Sequence, residues 1–222
     1  MDHLTPEPSQ PSRRRYGGVL PEERQRLRRA KLIEGAIEVF GTKGFHTATV
    51  REICVAAHLT ERYFYESFKT LSQLFLATYA ELREQLMGLT LSAMKQSQAT
   101  GPIDMLESAM RVFLVFIRDD PRRGRIMLVD ALAVSDEVAA LSGATARDYA
   151  ALLRQYLVHI LSPEQMDRIN LNLLADGMIG LNVLLAARWM QDGFEEPIDK
   201  VVRTNMLPYH GLLALLPGAK NR

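Results

Sequence analysis

Between Glu22 and about residue 216, apolar residues recur at steps of three and four, and no stretch alternates with period two for long enough to make a strand. That periodicity confines the chain to helices packed on helices. Leu27, Ile33, Ile37 and Phe40, with Ala30 and Ala36, form the first stripe, and Gly41 and Gly44 close it. Thr49-Val50-Arg51-Glu52 has the form of a capping box that opens a short helix. Thr60 is positioned to cap a second short helix through about Phe68, and Thr70-Leu71-Ser72-Gln73 opens a long one to about residue 95. Further helices are predicted at roughly 103–119, 122–133, 136–161, 163–191 and 196–216, the last kinked or split by Pro208. The expected fold is all-α, with about nine helices.

Composition narrows the class without naming it. The 222 residues are 47% hydrophobic and 24% charged, average for a globular chain, which excludes wholesale disorder and a polytopic membrane protein. Residues 1–20 hold Pro6, Pro8, Pro11, Gly17 and Gly18 and few apolar residues, so they read as a disordered arm with no secretory signal. The longest apolar run, Gly177 to Ala187, is interrupted by Asn182 and bounded by Asp176 and Arg188, too short to span a bilayer. A cytoplasmic protein is expected. Cys54 is the single cysteine, in an apolar setting that reads as core. His159 and His210 have no ligand partner three or four residues on, so neither metal nor cofactor is expected. Phosphate loops, nucleotide glycine fingerprints and nucleophilic Cys/His sets are missing, which argues against an enzyme.

The formal net charge of +1 hides an uneven distribution. Residues 13–31 carry seven Arg and one Lys against Glu22 and Glu23, a basic arm of the kind that meets nucleic acid. Arg13, Arg14 and Arg15 are its densest part. The segment behind it, 49–68, has the grammar of a helix-turn-helix: a capped two-turn helix, a tight turn, then a second short helix able to enter a major groove. Ala56 and Ala57 supply small residues for a close crossing, His58 tolerates left-handed geometry, and Leu59 plugs the core. The reading face is then Thr60, Glu61, Arg62, Tyr63, Tyr65 and Glu66, with Arg62 able to grip guanine. Thr49 and Arg51 at the first helix and Lys69 before the long one are candidate phosphate contacts.

The run Phe40-Gly41-Thr42-Lys43-Gly44-Phe45-His46-Thr47-Ala48-Thr49-Val50-Arg51-Glu52-Ile53, with Leu59-Thr60-Glu61-Arg62-Tyr63-Phe64-Tyr65 and Phe68, resembles the N-terminal domain of TetR-family transcriptional regulators. The resemblance covers roughly residues 25–80. It implies a helix-turn-helix domain at 21–70 and a helical ligand-binding and dimerisation domain at 71–222. It also implies a homodimeric repressor that leaves double-stranded operator DNA when a small molecule binds. Three positions depart from the family pattern: His58 where Gly is usual, Ala48 where Thr is usual, and Leu71 where a phosphate-contacting Lys is common. Lys69 is the expected substitute for that lysine.

In the second half, residues 173–190 are apolar or small on most faces, and Met178, Leu181, Leu185 and Trp189, with Val202 and Met206 of the last helix, are the expected dimer interface. Met87, Leu91, Phe113, Phe116, Met127, Tyr149, Leu153 and Met178 are the expected pocket lining, bulky and adaptable enough for an apolar or amphipathic ligand. Arg118-Asp119-Asp120-Pro121-Arg122-Arg123 reads as a solvated turn. The alternative functional class is an all-α small-molecule carrier whose N-terminal segment binds no DNA.

Overall fold

The structure is a computed structural model that describes residues 21–215. The arm at 1–20, with Arg13, Arg14 and Arg15, lies outside the described residues. Ten α-helices run in the order α1 (Pro21–Lys43), α2 (Val50–Ala56), α3 (Glu61–Ser67), α4 (Leu71–Gln96), α5 (Pro102–Asp119), α6 (Pro121–Gly124), α7 (Asp136–Ile160), α8 (Pro163–Met166), α9 (Leu171–Gln191) and α10 (Ile198–Leu215), and the described residues contain no strand.

Two expected spans break differently. The helix predicted at 122–133 becomes short α6, a π-helical turn Arg125–Val129 and a 3₁₀ turn Asp130–Leu132. The helix predicted at 163–191 divides into α8 and α9, because the Asn170 side chain accepts from the Asn172 and Leu173 N–H groups at 3.1 Å and starts a new helix. Pro208 does not split α10, which continues through it. Gly41 does not end α1 either; the helix runs to Lys43, and Gly44, at φ +86°, makes the exit.

One apolar core runs from Leu32 to Tyr209. At its N-terminal end Phe40, Phe45 and Phe75 meet with ring centroids 5.2–5.7 Å apart. Phe75 belongs to α4, so the long helix is rooted among the first three. Helices α4, α5, α7, α9 and α10 pack around one another in the larger part.

Candidate functional site

The helix-turn-helix geometry follows from local capping. Ala57 caps the C-terminus of α2, His58 takes φ +53°, and Leu59 turns back into the core. The Leu59 N–H donates to the Cys54 carbonyl at 2.9 Å and the His58 N–H to that of Val55 at 3.1 Å, the paired bonds of a Schellman end. His58 therefore does the work usually given to glycine. Ala57 meets α1, where a Cβ at Gly35 would stand 3.1 Å from its own, so its small size serves α1 rather than α3. Cys54 is buried, and that burial pushes its thiol pKa up, in keeping with a core role.

At the start of α2, Thr49 forms the full capping box. Its hydroxyl accepts from the Glu52 N–H at 3.2 Å, while the Glu52 carboxylate accepts from the Thr49 N–H at 3.1 Å and its hydroxyl at 2.9 Å. Lys43 closes on the other carboxylate oxygen. Its hydrogen bond, followed by that of Thr49, holds the Glu52 pKa below the usual carboxylate value. A carboxylate thus already occupies the place where a phosphate was expected, and Thr49 is free for DNA only if Glu52 yields.

On α3 the expected reading face divides. Glu61, Arg62, Tyr65 and Glu66 are exposed, and Arg62 is 84% open at its side chain although its Nε donates to Glu66 at 3.0 Å. Tyr63 is half-buried, with the Arg28 guanidinium 4.0 Å above its ring; Arg28 also approaches Glu66 at 3.4 Å. Arg29 lies 4.3 Å over Phe68 and donates to the Ser67 carbonyl at 3.4 Å. Two arginines counted with the basic arm thus brace α3 against α1. Thr60 stands at the N-cap but makes no capping bond with its side chain, contrary to the capping expected of it. Arg51 and Lys69 are exposed, whereas Leu71 packs partly into the core. The box at Thr70 is half-formed: Gln73 N–H donates to the Thr70 hydroxyl at 3.1 Å, but the Gln73 side chain turns to the Lys69 N–H at 2.9 Å.

A cavity of about 190 Å³ lies among α4, α5, α7, α9, α10 and the π-helical turn. Phe113, Met127, Tyr149 and Leu153 line it, as expected. Met87, Leu91, Phe116 and Met178 do not. On α4 the inward stripe is Tyr79, Leu86, Thr90 and Met94, one position out of phase with Met87 and Leu91. Phe116 is buried beneath the Arg123 guanidinium, 4.5 Å from its ring, and Met178 yields its place on the wall to Ile179. Sequence reasoning missed the polar wall residues Tyr79, Thr90, Ser142, Thr145, Asn182 and Tyr209. Asn182 had a signal, being the lone amide in an otherwise apolar run.

The stretch 118–123 is not the solvated turn expected of it. Asp120 caps α6, and Arg122 reaches both Asp120, at 2.7 Å, and Glu38 of α1. Arg125 donates to the carbonyls of Thr42 and Lys43, each at 3.2 Å, at the C-terminus of α1. Asp130 accepts from the Phe45 N–H at 3.2 Å. A Cβ at Gly41 would fall 2.2 Å from that of Arg122, so α1 and α6 meet at backbone distance. For Asp120, burial pushes the pKa up, but the Arg122 hydrogen bond and the charges of Arg122 and Arg123 together outweigh it and hold the carboxyl below its ordinary value.

Residues 32–78 match the family described as bacterial regulatory proteins, tetR family. Over that segment the chain is similar to that family. The match spans α2, the turn and α3, so this protein is a DNA-binding transcriptional regulator rather than an enzyme. The chain is 26% identical over 187 residues to the HTH-type transcriptional activator FasR of Mycolicibacterium smegmatis, covering 84% of this chain and 80% of that one. Its fold is similar to that of the fatty acid degradation regulator FadR from Bacillus halodurans, with a TM-score of 0.71 at 18% identity, covering 88% and 97% of the two chains. A transcriptional regulator from Rhodococcus sp. Rha1 superposes with a TM-score of 0.73 at 17% identity, covering 86% and 99%.

The regulator's last helices correct the expected dimer face. Met178, Trp189, Val202 and Met206 are buried in the chain's own core, and Leu181 and Leu185 are half-buried. Trp189 is held there by its indole N–H, which donates to the Glu196 carbonyl at 2.9 Å, and by Phe194 edge-on at 4.9 Å. The open stripe on α9 is instead Leu173, Gly177, Gly180 and Leu184, at steps of four, three and four, with Leu173 70% and Leu184 66% exposed. Leu207 of α10 is 65% exposed. By length and a mean hydropathy of 1.3, α9 would suffice to cross a membrane, which the apolar run alone did not suggest.

Proposed function

We propose that this chain is a tetR-family regulator, a cytoplasmic homodimer whose affinity for operator DNA falls when an amphipathic, fatty-acyl-like molecule fills its cavity, and that it acts as a repressor. The division expected from sequence carries over: 21–70 reads DNA, and 71–222 binds the effector and the second subunit. Thr60, Arg62, Tyr65, Lys69 and Arg51, with the arm bearing Arg13, Arg14 and Arg15, are the DNA contacts in this reading. Tyr63, held against Arg28, sets the posture of α3, Glu61 stands exposed on its reading face, and Thr49 joins the DNA contacts once Glu52 is displaced.

One observation carries the proposal. The segment 121–130 puts Met127 on the cavity wall and Arg122, Arg125 and Asp130 on the end of α1 and the turn after it. An effector that displaces Met127 therefore pulls on the ties to the DNA-reading helices. A π-helical turn is suited to such a task, because a one-residue change of hydrogen-bond register moves the side chains around it. In a dimer the two α3 helices must stand about 34–36 Å apart, or a multiple of it, and a small tilt of each subunit spoils that spacing.

Two features support the chemistry of the effector and the dimer. The cavity wall is largely apolar, and FadR of Bacillus halodurans is named for fatty acid degradation. The stripe Leu173-Gly177-Gly180-Leu184 with Leu207 is an apolar face whose glycines allow close helix approach, and a two-fold partner would bury it. The test is a gel-shift titration with a duplex selected from random sequence by the protein itself. Lauroyl-CoA or laurate should release the duplex; binding that neither compound alters would overturn the proposal. The sign of regulation is read from a reporter behind that duplex. Derepression on deletion supports a repressor, and loss of expression would make it an activator, as FasR is named.

A further inference from the structure

None of the side chains lining the cavity is charged. Burying an ionised group there would be costly, so a carboxylate or phosphate head stays outside and the enclosed part of the effector is neutral. The wall is nevertheless not uniformly apolar. Asn182 is 6% exposed, its Nδ2 donates to the Tyr209 hydroxyl at 2.7 Å, and its Oδ1 is buried without a partner. Turning the amide over exchanges the two atoms but does not cure the defect. Tyr209 engages one of them, and the other is buried and unpaired in a residue that lines the cavity. Leu or Val at 182 would suit the neighbouring Leu181, Val183 and Leu184 and would leave nothing unpaired.

A second polar group stands on the α7 wall. The Tyr149 hydroxyl is buried without a hydrogen bond of ordinary geometry, beside Thr90, whose hydroxyl proton is spent on the Leu86 carbonyl at 2.8 Å. Thr145 likewise spends its proton on the Leu141 carbonyl at 2.9 Å. The threonines are satisfied within their own helices, which leaves the Asn182 amide and the Tyr149 hydroxyl as buried unpaired groups of the wall, and of the two only the amide is held by a hydrogen bond to a second side chain.

We propose that Asn182, oriented by Tyr209, is a subsite for a neutral hydroxyl carried on the hydrocarbon chain of the effector. A hydroxyl donates to Oδ1 or accepts from Nδ2, so it satisfies the amide in either orientation, whereas an ether or ester oxygen can satisfy only one of them. The assignment rests on the effector reading above and adds to it a chemical class: a hydroxylated rather than a plain saturated chain.

The experiment is isothermal titration of the full-length protein with 1-decanol and with decyl methyl ether, which share a chain but not the O–H. Wild type should prefer the alcohol by about tenfold, the value of one hydrogen bond of roughly 1.4 kcal/mol. Asn182→Leu should bring the ratio close to one while keeping the ether affinity, which shows that the cavity is intact. Asn182→Ala, which adds no bulk, provides the same comparison if the leucine variant fails to fold. Equal wild-type affinities, or a preference that survives in a folded variant, would overturn the assignment alone. No binding of either compound would overturn it together with the effector reading.

Discussion

Alanine at position 41 should loosen the joint between the DNA-reading helices and the effector half. In α1 the Gly41 position faces α6, and the new Cβ would lie 2.2 Å from Arg122 Cβ and 2.7 Å from its Cα. Ordinary contacts begin at 3.4 Å, so the backbones must part by about 1.2 Å, and no rotamer change can relieve a clash with Cα. The Arg125 bonds to Thr42 and Lys43, now 3.2 Å, would then stretch beyond hydrogen-bond reach. Overpacking costs ~1–3 kcal/mol, against which alanine regains ~1 kcal/mol of helix propensity over glycine. The net loss is ~0–2 kcal/mol, a fall in Tm of up to ~8 °C for a chain of this size. Hydrogen exchange supplies the sharper assay. The Phe45 amide, held by Asp130 across the joint at 3.2 Å, should exchange faster in the variant, while amides deep in α7 keep their protection. The variant should also keep its DNA affinity when laurate is added. An unchanged Phe45 amide together with a wild-type effector response would refute the idea that α1 and α6 transmit the signal.

Arg62→Ala should cost operator binding ~1–3 kcal/mol, the value of a bidentate base contact, yet lower stability by no more than ~0.5 kcal/mol, because its pair with Glu66 is exposed. Fluorescence anisotropy and thermal melts separate the two effects; equal losses in both would mean that Arg62 is structural. Leu184→Glu should abolish the proposed dimer, leaving a monomer in sedimentation equilibrium where wild type sediments as two chains; a wild type that is monomeric, or a variant that is not, would refute that use of the α9 stripe. Asp120 has a folded pKa below its ordinary 3.8, so the stability it contributes is fully present above that value and is lost as pH falls through the lower folded pKa. Asp120→Asn should therefore be less stable than wild type at neutral pH, and the gap in Tm should close in acid; a gap that persists there would trace to capping rather than charge.

The apolar periodicity alone decided that this chain is helical, because a step of three and four cannot be laid on a sheet. The capping residues Thr49 and Thr70 placed helix starts with little error, since a cap is a contact between neighbours in sequence. His58 was legible for the same reason: the turn's hydrogen bonds close over six residues. Legibility failed where the partner is distant. All four were expected on the cavity wall, and Phe113 and Met127 reach it but Met87 and Leu91 do not, because a shift of one residue around a helix moves a side chain by about 100° and only neighbouring helices set that phase. Met178 and Val202 looked like an interface and are core; Leu173 and Leu184 were passed over and are exposed.

Arg28 and Arg122 show the limit most plainly. Each is a charge in a run of charges, and composition assigns such runs to solvent or to nucleic acid. One instead lies on the Tyr63 ring and the other ties α6 to Glu38, because the fold brings α3 and α6 against α1. The sequence by itself determined the helices, their caps and the DNA-reading motif, all of which rest on contacts within a few residues. The tertiary structure alone decided which faces are buried, where the cavity opens and how the two halves are joined. Those contacts link residues some 40 to 85 positions apart, and no local pattern records them.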